Sequence, residues 1–130
     1  MRIILTSFIM LTLLSSMRVM TQDKKEPAVG EMKQYFFVML KRGPNRGQDS
    51  VTSRKLQEGH MENIERMANE GKLAIAGPFG DNGDWRGIFI FDMKTMEDVI
   101  KEVEQDPAIR AGRLSYEIHP WWAERGVKLP

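Results

Sequence analysis

An α+β fold is predicted by three observations. The elements run strand–helix–strand–strand–helix–strand, two of the four strands are apolar on both faces, and each helix carries one apolar stripe. The first strand spans 34–41 (QYFFVMLK) and does not alternate: Tyr35, Phe37 and Met39 fill one face, Phe36, Val38 and Leu40 the other. A strand of that kind needs cover on both sides. After the break GPNRGQDS, a helix is expected over 53–69, capped by Ser53 or Thr52 and closed at Gly71. Its stripe is Leu56, His60, Ile64 and Met67, which turns His60 toward the sheet. Glu58, Glu62, Glu65 and Arg66 fall on the opposite side.

The second strand is 72–79 (KLAIAGPF) and the third 85–92 (WRGIFIFD), joined as a hairpin by the turn residues GDNGD. The third strand is again apolar on both faces, with Trp85, Phe89 and Phe91 set against Ile88 and Ile90. Thr95 caps a second helix to about 104, whose buried stripe is Met96, Val99, Ile100 and Val103. Asp106–Pro107 opens a short extra turn closed by Gly112. The last strand, 114–119 (LSYEIH), alternates Leu114, Tyr116 and Ile118 with Ser115, Glu117 and His119.

This order is the ferredoxin-like βαββαβ arrangement: a four-stranded antiparallel sheet with two helices on one face. Strands one and three are central there, which accounts for their two apolar faces. The helices cover one face only, so the other would expose an apolar patch well above a few hundred Å². A second copy, sheet against sheet, is the economical cover, giving a homodimer.

The chain has 130 residues and a formal net charge of +1, room for one domain and no electrostatic case for a nucleic-acid partner. It has no cysteine, which removes disulfides, thiolate nucleophiles and Cys-based metal sites. The ten methionines form no tight cluster and read as core or leader residues. No phosphate-binding glycine loop, Ser–His–Asp signal or H-E-x-x-H is present, so no cofactor and no metal are implied.

Residues 1–22 differ from the rest. Arg2 is followed by a nearly unbroken apolar run over 3–14, too short for a bilayer span but suited to a signal peptide. Cleavage near Thr21 or Gln22 would leave a periplasmic or secreted protein with no stable membrane span. A start at Met20 or Met32 would instead leave it cytoplasmic. Residues 23–33 read as a linker, 34–122 as the domain and 123–130 as a C-terminal tail.

Chain direction places the chemistry. The start of the first helix, the 80–84 hairpin and the end of the second helix share one sheet edge, bringing His60, Asp81, Asp84 and Asp106 together. A carboxylate beside an imidazole fixes its tautomer for acid–base work. Gly77 and Pro78 would bring main chain close to a ligand, and Arg86 could hold a substrate carboxylate. His119 lies toward the other edge with Trp121 and Trp122, as packing or interface.

The stretch GHMENIERMANEGKLAIAGPF, then QDPAIRAG, then EIHPWW resembles the YciI-like (YCII-related) family in order and spacing. The resemblance implies a dimeric α+β barrel with a cleft built around a His and an Asp. One branch of that family is associated with dehalogenation of a chlorinated muconolactone; the leader and the GDNGDWRG hairpin depart from it. The function expected is therefore a small-molecule enzyme with His60 as general acid or base, oriented by Asp81 or Asp106, acting on a small anionic or lactone-like compound. The alternative is a ligand-binding or interaction module with the same barrel. For export, intact mass of the protein from its native host is expected to give a chain beginning near Asp23. A cytosolic form beginning at Met1 would contradict it.

Overall fold

The computed structural model describes residues 25–130; the expected leader lies outside them, as do the first two linker residues. The elements are β1 (Met32–Arg42), α1 (Ser50–Asn69), β2 (Leu73–Pro78), β3 (Trp85–Phe91), α2 (Met96–Val103), α3 (Pro107–Arg110) and β4 (Leu114–Glu124). The sheet is antiparallel in the order β2-β3-β1-β4, so β1 and β3 are central, as their two apolar faces require.

Three local readings are corrected. The first helix begins at Ser50, because Asp49 and not Ser53 or Thr52 is its cap: the Asp49 carboxylate accepts from Thr52 N at 2.9 Å. β4 runs on to Glu124, taking in residues assigned to the tail and pairing with β1 along its whole length. Pro120 suggests an early stop, but β4 is an edge strand and tolerates the missing N–H. Finally, a register shift between Leu40 and Lys41 sets Trp85 opposite Lys41, so Trp85 does not share a face with Phe89.

The core lies between the sheet and the helices. Phe36, Val38 and Leu40 of β1 and Phe89 and Phe91 of β3 meet Met67 of α1 and Val99 and Val103 of α2. Phe89 and Phe91 stack edge to face, 5.9 Å between centroids. The stripe of α1 differs from expectation: Leu56 and Ile64 are half-buried, while Asn63 is buried beside His60 and Met67. Arg66 is not on the outer side. Its guanidinium donates to Asn63 Oδ1 and to Glu102 of α2, at 2.9 and 2.8 Å. Burial alone would raise the Glu102 carboxyl, but hydrogen bonds from Lys72 and Arg66 outweigh it and hold the group below the usual carboxylate range. That network ties α1, α2 and the start of β2 together.

Among the described residues no element packs over the opposite face of the sheet, although Ile90, opposite Phe37, is itself buried there. Tyr35, Phe37 and Met39 lie there with Ile88, and Trp121 reaches Tyr35 at 6.3 Å between centroids. Trp121 is 43% exposed and Ile75 36%.

Candidate active site

Gly59 is where the site begins. A glycine inside a helix costs about 1 kcal/mol relative to alanine, so this one needs a reason. A Cβ at Gly59 would lie 2.6 Å from Cγ of Pro107, closer than any real contact. The missing side chain lets α1 close on α3, and the next residue along α1 then meets the residue before Pro107. His60 Nδ1 and Asp106 Oδ2 are 2.6 Å apart.

Asp106 is completely buried. A buried carboxylate is costly unless its oxygens are hydrogen-bonded, and both are. Oδ2 takes His60, and Oδ1 accepts from Ala108 N at 2.8 Å, capping α3. An ionised carboxylate only accepts, so a neutral His60 carries its proton on Nδ1 and its lone pair on Nε2. Among the described residues nothing hydrogen-bonds Nε2. The ring lies over Phe89, 6.1 Å between centroids and 26° between planes, which fixes its orientation from the sheet side.

His60 lines a cavity of about 370 Å³, a size typical of small-molecule sites. Its apolar wall comes from the sheet through Leu40, Phe89 and Leu114, and from α1 through Met61 and Ile64. The end of β2 contributes Ala76, Gly77 and Pro78 as a stretch of close main chain. Among the described residues, the ionisable groups lining it are His60 and three arginines, Arg46, Arg86 and Arg113, and no carboxylate lines it. Partial desolvation, and then repulsion from Arg113, Arg42 and Arg86, hold the Arg46 guanidinium below the ordinary arginine value.

Of the residues expected from sequence, His60 and Asp106 are brought into contact, and Gly77, Pro78 and Arg86 line the same cavity. Asp81 is not brought to His60. It is exposed in its turn, accepts from Gly83 N at 3.4 Å, and does not line the cavity; Asp84 is likewise exposed and outside it. Arg42 helps hold that hairpin, donating to Asn82 O and Gly83 O at 2.8 and 3.1 Å. His119 lies opposite Phe37 on the uncovered face of the sheet. Among the described residues no three of His, Asp and Glu are placed to hold a metal ion. Sequence reading missed Gly59, Arg46 and Arg113. A glycine in mid-helix was the available signal for the first; the two arginines lie in loops without periodicity and gave none.

The model of the YCII-related domain matches residues 35–122. The chain belongs to the YCII-related family. Among curated proteins none matches it. Among solved structures it is similar to 5-chloro-2-hydroxyhydroquinone dehydrochlorinase (TftG) from Burkholderia phenoliruptrix AC1100, in complex with 2,5-dihydroxybenzoquinone. The identity is 23% and the TM-score 0.51, over 67% of this chain and 92% of that one. At that identity the likeness concerns the fold, which in this YCII-related chain is the α+β, ferredoxin-like one read from the sequence.

The role given to Gly59 is tested by Gly59→Ala. Despite better helix propensity it is expected to destabilise the fold by about 1–3 kcal/mol in urea unfolding, through overpacking against Pro107. Adding Pro107→Ala should restore most of that loss, since the remaining Cβ would be at an ordinary 3.6 Å. A stabilised Gly59→Ala single variant would contradict the close approach.

Proposed function

We propose that this YCII-related protein is a small-molecule enzyme in which His60 transfers protons and Asp106 orients it. The observation that carries the reading is the 2.6 Å His60–Asp106 bond at the wall of a cavity lined by no carboxylate among the described residues. In the proposed cycle, Nε2 accepts a proton from an acidic C–H or O–H of the bound compound. The imidazolium formed is stabilised by the buried Asp106 carboxylate, and the proton returns from Nε2 to product or solvent. Asp106 does not need to touch the substrate; it is a positioning residue. The substrate class we propose is a small, partly apolar, anionic or lactone-like organic compound. Its apolar body would lie on Phe89 and Ile64, with Arg86 holding its negative charge. The ring compounds named for the dehydrochlorinase are of the size and polarity this reading asks for.

The same proposal includes a homodimer through the uncovered sheet face and an exported mature form. Tyr35, Phe37, Met39 and Ile88 make a continuous apolar strip on the two central strands, and a second copy would remove it from water. Phe37 is the aromatic that bears on this. Phe89, also on a central strand, faces the helices and the cavity.

His60→Gln is expected to fold normally and lose roughly 10²–10⁴-fold in turnover on a compound found by thermal-shift screening of metabolites. Full activity in that variant would make His60 a core residue and remove the main support of the proton-transfer reading. For the dimer, light scattering of the wild type at micromolar concentration should give twice the chain mass. Phe37→Asp, which would bury an unpaired carboxylate at the contact, should give the monomer mass. A monomeric wild type would rule out the sheet-to-sheet assembly.

A further inference from the structure

Arg46, Arg86 and Arg113 line one cavity, and none is neutralised by a carboxylate among the described residues. Their hydrogen bonds go to neutral oxygens: Arg46 to Arg113 O at 3.1 Å, Arg86 to Gly83 O at 3.3 Å, Arg113 to Gln48 Oε1 at 3.1 Å. Lys33, by contrast, is matched with Asp92, and Arg66 and Lys72 with Glu102, while the half-buried Arg42 beside the hairpin also bonds to neutral oxygens and Arg46 is itself exposed. Concentrating guanidinium groups has a cost: after desolvation, repulsion from Arg113, from the neighbouring Arg42 and from Arg86 holds Arg46 below the ordinary arginine value.

The positions of two of these arginines are set by main chain. The loop carrying Arg46 is stitched to the turn carrying Arg113 by Gly43 N to Arg113 O and Asn45 N to Gly112 O, each 2.9 Å. The Asn45 amide adds a bond to Ala111 O at 3.1 Å. The approach is so close that a Cβ at Gly43 would lie 2.1 Å from Gly112 O. Arg46 and Arg113 are therefore mounted on one braced unit, while Arg86 comes to the same cavity from β3.

We infer that Arg46, Arg86 and Arg113 form an anion clamp, and that the ligand it selects is a small organic dianion with an apolar body. The inference rests on reading the cavity as the substrate site, and it assigns Arg46 and Arg113 to substrate positioning alongside Arg86. A single carboxylate forks with one guanidinium and leaves two cations unmatched; two anionic groups on one rigid body can engage the braced pair and Arg86 together. The apolar wall of Leu40, Ile64 and Phe89 suits a ring or short hydrocarbon between them.

Calorimetric titration of the full chain with benzoate, phthalate, terephthalate and inorganic phosphate tests it. At least one of the two dicarboxylates should bind roughly tenfold or more tightly than benzoate, the increment of one further charge-assisted pair. Phosphate, lacking the apolar body, should bind more weakly than the better dicarboxylate. Arg86→Gln and Arg113→Gln should each remove most of the dicarboxylate preference. Arg86→Lys and Arg113→Lys should keep part of it, which separates lost charge from a damaged fold. Arg54→Gln, an exposed cation outside the cavity, should change nothing. If neither dicarboxylate exceeds benzoate, or the arginine variants behave as Arg54→Gln does, the clamp is wrong. His60→Gln distinguishes this from the proton-transfer reading, because it removes no guanidinium and should keep the dicarboxylate preference. Loss of that preference in His60→Gln would also count against the clamp.

Discussion

A fully buried carboxylate must have both oxygens satisfied, and at Asp106 that requirement organises the site. One oxygen caps α3 and the other holds His60, so the helix cap and the partner of His60 are the same group. The arrangement depends on two local features with no chemistry of their own. Gly59 removes the atom that would hold α1 away from α3, and Pro107 starts α3 with a ring that needs no hydrogen-bond partner. From there the geometry propagates: His60 is fixed between Asp106 and Phe89, and Phe89 is fixed in the core by Phe91. The imidazole is thus positioned by the hydrophobic core on one side and by a helix cap on the other.

The sheet divides the molecule into two problems. On the helix side, aromatic and branched residues of β1 and β3 make a core with the two long helices and leave the cavity at one end. On the other side, apolar residues have no element over them among the described residues. A chain of this size would not maintain large apolar residues on two faces of its central strands for the helices alone, which is why the proposed assembly and the proposed chemistry belong to opposite faces of one sheet. Proton transfer would then be insulated from the contact between copies by the thickness of β1 and β3.

Most of the fold was legible because the signals were local and repeated. Strand one announced its centrality by carrying Tyr35, Phe37 and Met39 against Phe36, Val38 and Leu40, and the turn residues at 80–84 marked the hairpin. Boundaries failed where a single residue misled. Asp49 caps α1 ahead of two better-placed hydroxyls, and Pro120 masks five further residues of β4. The site was legible in outline, since chain direction brings His60, on its apolar stripe, and Asp106, the cap before Pro107, toward one sheet edge. The choice between Asp81 and Asp106 was not, because both lie toward one edge and only the packing of α3 on α1 separates them. Arg46 and Arg113 were beyond reach of pattern: they meet through backbone bonds between residues far apart in the chain.

The central claim is that Asp106 fixes His60 as the Nδ1-protonated tautomer, leaving Nε2 free to take a proton. Nitrogen-15 NMR of the His60 ring, recorded at a pH where it is neutral, tests this most directly. The wild type should show a protonated Nδ1 and a bare Nε2. In Asp106→Asn the side-chain oxygen is retained by Ala108 N, so the amide NH₂ should face the ring and move the proton to Nε2. A wild-type ring already protonated on Nε2, or a tautomer unchanged in Asp106→Asn, would contradict the account.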